Sequence, residues 1–258
     1  MPTGSLAASS ALHAKSEVAG FSLVTLGALP RSPENGSLDE YCEGYREKKL
    51  TAAGKKVAGL GWIVTSEAPL GRYQVVTFAS GFTPGTSAMC FVRNSNIAIF
   101  DGTNLVALAY GSRAAEIPLG IVEPQESGAL LVWTDPPGWA IAELRQDSDG
   151  FRLTAVAPVR TFCNRRAVVP NVYGKPISVA RRVLIEHGWH PLRPHERPGE
   201  ADMANELAEH GIIEAETCSG TGAAYCSFNY RGTSGLLSVT TAGEDPTVRS
   251  YTVKCDTH

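Results

Sequence analysis

No stretch of this 258-residue chain approaches the ~20 consecutive apolar residues of a spanning helix. Charge of one sign is also missing: 23 Lys and Arg stand against 26 Asp and Glu, a formal net charge of -3. Without a basic field, a general nucleic-acid binder or anionic-membrane binder is excluded. There is no Cys-x-x-Cys, and no compact Cys/His set has zinc-finger spacing. Neither a Gly-x-Ser-x-Gly elbow nor a His-Glu-x-x-His pair is found, so no local signature of a hydrolytic nucleophile or metalloprotease stands out. Long polar tracts are scarce too; 43% of the residues are hydrophobic, enough for a packed body.

What is abundant is punctuation. Gly 26 and Pro 16 are spread along the whole length, favouring a turn-rich, β-dominated protein. The length fits one large domain or two ordinary ones. Residues 1–38 read as leader plus linker, with residues 18–29 (VAGFSLVTLGAL) as a candidate h-region or, alternatively, a strand or helix packed on the body. Residues 39–53 have helical spacing ending at Gly54. From 55 to 159 come about nine short β runs, among them VAGLGWIV, YQVVTFA and WAIAEL, as expected of an antiparallel sandwich or barrel within a β-rich domain of residues 39–163. IAIF-DGTN-LVAL is the clearest hairpin. Beyond a boundary near 164–170 the period lengthens to about 3.6. Residues 169–258 are predicted as an α+β module: helices near 177–187 and 201–210, then a four-stranded antiparallel meander.

Six cysteines, an even count in a Gly-rich β chain, point to disulfides and a periplasmic or extracellular setting. Cys42, Cys90 and Cys163 precede the boundary; Cys218, Cys226 and Cys255 follow it. Three on each side demand at least one crossing bridge. Strand-face alternation gives Cys226–Cys255 as a pair, leaving Cys163–Cys218 as a clamp between domains and Cys42–Cys90 within the first.

Chemistry-bearing clusters are few. His187, His190, His195 and His210 lie close in sequence, but Glu186-His187-Gly188 and Glu209-His210-Gly211 each put the ring in a last helical turn, where it satisfies carbonyls. No metal and no cofactor is expected. Cys218-Ser219-Gly220-Thr221-Gly222 is glycine-rich, yet the strand-like AAYCSFNY follows it, whereas a phosphate loop needs a helix there. Glu214 and Glu216, two apart on a predicted strand, are the best available carboxylate pair for glycoside hydrolysis. Trp133 and Trp139 flank Asp135-Pro136-Pro137-Gly138, a rigid tip suited to a binding surface.

Val169-Pro170, Gly174, Ala180, Leu184 and Gly188 occupy the places of a Val-Pro start, a following Gly, an inner helix face and a helix-ending Gly. On these positions residues 169–192 resemble the opening of a PASTA repeat. There is one copy rather than a string, and a second helix and a cysteine-bearing meander follow it. The resemblance implies a bacterial envelope setting and, as in several members of that family, recognition of peptidoglycan fragments; it carries over no ligand residue. Three functions are therefore expected, in this order: a non-catalytic envelope protein binding a cell-wall fragment or a protein partner, an inhibitor or immunity protein against an exported toxin or hydrolase, and a cell-wall or carbohydrate hydrolase.

Overall fold

The apolar runs between residues 63 and 111 form most of one five-stranded sheet, in the order β2 (Phe21–Thr25), β8 (Asn104–Gly111), β7 (Asn96–Asp101), β4 (Tyr73–Ala79), β3 (Ile63–Leu70). This arrangement is seen in a computed structural model, which describes residues 12–257 apart from 35, 37, 39, 86–88, 113, 114, 116, 135–137, 197, 200, 201 and 221. From Tyr73 to Ala79 only Gln74 is partly open, because this sheet is covered on both faces. Val75, Ile97, Ile99, Ala107 and Ala109 point to one core, and Val76, Phe78, Ala98 and Phe100 to another. The second core is closed by Ala53 and Val57 of α1 (Ala52–Gly59). Burying one such phenylalanine contributes about 1.5–3 kcal/mol.

The first core is shared with a second five-stranded sheet: β1 (His13–Ser16), β12 (Gly150–Thr154), β11 (Ala140–Gln146), β10 (Leu130–Trp133), β9 (Val122–Pro124). Its Leu130, Val132, Ala142, Leu144, Phe151 and Leu153 complete the cluster. Pairing is antiparallel except for β1 against β12, which run parallel. A small hairpin, β5 (Gly81–Pro84) and β6 (Cys90–Arg93), stands beside these sheets. The chain is thus mainly β, with several antiparallel sheets, none closed on itself as a barrel would be.

Of the readings of residues 18–29, the strand packed on the body is the one seen: Phe21–Thr25 form β2, paired with β8, with Phe21 and Leu23 in the core. Two expectations are corrected here. Residues 39–53 do not form one helix ending at Gly54. A 3-10 turn covers Glu40–Tyr45, and α1 begins after Thr51, whose side chain accepts from Gly54 N at 3.2 Å. A capping threonine outweighed the spacing of Tyr41 and Tyr45. VAGLGWIV is accordingly not one strand: Val57 belongs to α1, and β3 starts at Ile63. The hairpin between β7 and β8 forms as read, with Gly102 at φ +61 in its tip.

After a second hairpin, β13 (Val159–Phe162) and β14 (Ala167–Pro170), come α2 (Ile177–Glu186), β15 (His190–Pro191) and α3 (Met203–Glu209). Ile177, Ala180 and Leu184 form the buried stripe of α2. Asp202 caps α3 by accepting from Ala204 N at 2.9 Å; residue 201, where that helix was expected to start, lies outside the described residues. The meander β16 (Ala215–Cys218), β17 (Cys226–Gly232), β18 (Gly235–Ala242), β19 (Thr247–Cys255) is antiparallel throughout, and β15 adds a short fifth strand on β17. Ala167 and Val169 pack with Phe228, Tyr230, Leu237 and Val248 in one core.

All six cysteines are paired, as Cys42–Cys90, Cys163–Cys255 and Cys218–Cys226. The first is the expected pair; the other two correct the expectation. Cys218 and Cys226 face each other directly across β16 and β17, with Cα atoms 4.1 Å apart. Cys226 and Cys255 cannot meet. A whole strand, β18, separates β17 from β19, and Cys226 lies opposite Thr241 while Cys255 lies opposite Gly235 at the far end. The Cys163–Cys255 bridge crosses residues 164–170 in sequence, yet Cys163 packs in the same core as the meander. It pins a hairpin to that module rather than clamping the module to the first two sheets.

Candidate functional site

Where the β5–β6 hairpin, the first two sheets and the meander meet, they leave a cavity of ≈ 330 Å³. Small-molecule sites run from roughly 300 to 1,000 Å³ and are mostly apolar with a few placed polar groups. Tyr45, Phe82 and Val92 form one wall, held together by Cys42–Cys90, which ties the Glu40–Tyr45 turn to β6. Gly120, Ile121 and Trp133 form a second. The meander contributes Tyr225, Thr240, Arg249 and Ser250. Tyr225 sits in the loop closed by Cys218–Cys226, so this bridge fixes how far its ring reaches.

Arg249 is the charged residue in this wall. Its guanidinium lies 4.8 Å from the centre of the Trp139 ring. Its Nε is buried without a hydrogen-bond partner, and among the described residues no carboxylate oxygen comes within 4.0 Å of the side chain. Burial pulls the Arg249 guanidinium below its ordinary value, opposed by nearby Tyr225. Burial in turn pushes the Tyr225 hydroxyl up, with Arg249 pulling the other way.

Behind the cavity a second arginine, Arg160, has partners for both terminal nitrogens, while its Nε, like that of Arg249, is buried without one. Arg160 of β13 donates to Tyr173 Oη and Gln125 Oε1, and its guanidinium lies 4.9, 5.6 and 5.2 Å from the rings of Phe162, Tyr173 and Tyr251. Trp133 meets Tyr173 edge to face at 5.5 Å and donates from Nε1 to Glu123 at 3.1 Å. The carboxylate of Glu126 accepts from Asn164 N and Arg165 N at 3.1 and 3.2 Å. Through these contacts the second sheet is joined to the β13–β14 hairpin and the segment after it.

The candidate residues read from sequence separate. Trp133 lines the cavity, and Trp139 lies beside it under Arg249; both are half-buried. Residues 135–137 of the tip between them lie outside the described residues. Glu214 is fully buried, meeting Arg181 Nε at 3.0 Å and Tyr230 Oη at 2.7 Å. Glu216 is half-buried and takes Asn229 Nδ2 at 2.5 Å, so the two carboxylates have separate partners. His187 and His210 place Nδ1 2.8 and 2.9 Å from the carbonyls of Val183 and Glu206, each four residues back in its own helix. His190 and His195 are exposed. In the glycine-rich loop, residue 221 lies outside the described residues.

Sequence reasoning missed Arg249, Tyr225 and Arg160. A lone arginine within TVRSYTV was the available signal for the first, since the strand is otherwise uncharged as far as Val253. No family model, curated protein or solved structure matches the chain, so residues 169–192 stand as a local similarity to the PASTA opening.

Proposed function

We propose that this protein is a non-catalytic binding protein of an oxidising, periplasmic or extracellular compartment. In this reading the first two sheets are a sandwich, the remainder is an α+β module, and the ligand sits between them. The observation that carries it is the cavity: aromatic and aliphatic walls from three parts of the fold, two of them fastened by disulfides. Three disulfides support the compartment, because such bridges persist where thiols are not kept reduced. Among the described residues no helix is long and apolar enough to cross a membrane.

The absence of catalysis is supported by the engagement of Glu214, whose carboxylate is taken up by Arg181 and Tyr230 inside a core. The cavity walls also narrow the ligand. The sugar portion of a cell-wall fragment would leave hydroxyls unpaired against Phe82, Val92 and Ile121, at a cost of about 1–3 kcal/mol each. A small group with an apolar body fits better. Amide chemical-shift mapping with a set of small aromatic fragments is the test. Shifts clustered at Tyr45, Ile121, Trp133, Tyr225 and Ser250, with the fragments recovered unchanged, are expected; shifts scattered over the surface would overturn the reading.

A further inference from the structure

Arg249, with no carboxylate partner among the described residues and only uncharged groups beside it in the cavity, points to the class of ligand: we infer that the cavity receives a small monocarboxylate with an aromatic or aliphatic body, its carboxylate on the Arg249 guanidinium and its body against Tyr45, Phe82 and Trp133. This rests on the cavity being the ligand site, as proposed above.

Arg249 is half-buried, with its Nε shut away from water. A guanidinium keeps its charge at any ordinary pH and offers five donors in a planar fork that matches a carboxylate. Charged groups withdrawn from water are normally paired, because the desolvation is otherwise uncompensated. At the more deeply buried Arg160 the terminal nitrogens meet Gln125, Tyr173 and, at 3.8 Å, a carboxylate, Glu123, although its Nε too lacks a partner. At Arg249 the ring of Trp139 is the partner on one side, and the missing element is an anion. The neighbouring polar groups agree. Thr240 and Ser250, from β18 and β19, line the same cavity and offer hydroxyls rather than carboxylates, so nothing there repels an anion. Tyr225 contributes a neutral phenol, whose hydroxyl burial pushes up. At ≈ 330 Å³ the space is near the lower end for small-molecule sites, which favours one ring or a short chain over a peptide.

The experiment compares 4-phenylbutyrate with 4-phenylbutanol, the same body with and without the charge, by titration calorimetry on the disulfide-intact full chain. The acid is expected to bind about ten- to hundredfold more tightly than the alcohol, the range for a hydrogen bond to a charged group. In Arg249→Met the acid should fall to the affinity of the alcohol, while the alcohol is unchanged. Arg249→Lys keeps the charge without the fork and should retain part of the preference. Equal binding of acid and alcohol by the unaltered protein would overturn the monocarboxylate and leave the cavity as a ligand site. If neither probe binds and the fragments above do not map to the cavity, both inferences fall. The wild-type comparison stands even if the methionine variant does not fold.

Discussion

Glu214 lies inside a core with an arginine on one side and a phenol on the other. Removing one member of a buried pair leaves the other uncompensated, which is more damaging than losing the attraction itself. Glu214→Ala is expected to lower stability by about 3 kcal/mol in urea unfolding, the lower end of the range because Arg181 retains some contact with water. Glu214→Gln, which can still bond Tyr230 Oη, should cost less. The tyrosines set the alkaline limit. Burial pushes the Tyr173 and Tyr230 hydroxyls well above the usual phenol range and Tyr251 up to about 12. Their folded values exceed the unfolded value of 10, so unfolding releases protons above that pH. Their contribution is complete below pH 10 and declines above it, that of Tyr251 being lost as pH rises through about 12 and those of Tyr173 and Tyr230 at higher pH still. Tyrosinate absorbance should therefore appear together with unfolding rather than before it; ionisation of these three in a still-folded chain would contradict the burial argument.

Among the elements, those bounded by strong local signals were legible in sequence. The β7–β8 hairpin needed only its Asp101-Gly102 tip, and α2 its Pro176 start, inner stripe and Gly188. Alpha-helix α1 was not, because Gly54 looks like a terminator and instead serves close packing. A Cβ there would stand 2.0 Å from Glu67 Oε1. The cavity was half legible. Trp133 and Trp139 stood out, whereas Arg249 and Tyr225 reach it through strand register and a disulfide that face alternation alone misassigned. Those bridges enclose loops of different length, with separations of 92, 48 and 8 residues for Cys163–Cys255, Cys42–Cys90 and Cys218–Cys226. On chain entropy their removal should lower stability by about 4.5, about 4 and about 2.5 kcal/mol respectively. Paired serine variants compared in denaturant should show that order. Only the last two should also weaken 4-phenylbutyrate binding, since they hold cavity walls.

For the whole molecule, the first two sheets share one core and the meander has its own, so the link between them is a matter of a few contacts. Arg160 is the most heavily used of these, joining Gln125 to the three rings around it. Calorimetry of the intact protein should give one cooperative unfolding transition. Arg160→Ala should split it in two, with the meander's transition at the lower temperature. A variant that still melts as one unit would show that the cores are coupled elsewhere.

The parallel pairing of β1 with β12 has a kinetic meaning. His13 finds its place only beside Gly150, and Phe21 only beside Gly111. A chain emerging from the ribosome offers its first two strands long before their partners exist. The strand β2 lacks its partner until Gly111 has been made and β1 until Thr154, and unpaired edges of that kind invite mispairing with other chains. Folding of this protein is therefore expected to be governed by distant closure rather than by its hairpins. A nascent chain held extended until its later strands have emerged would avoid that hazard.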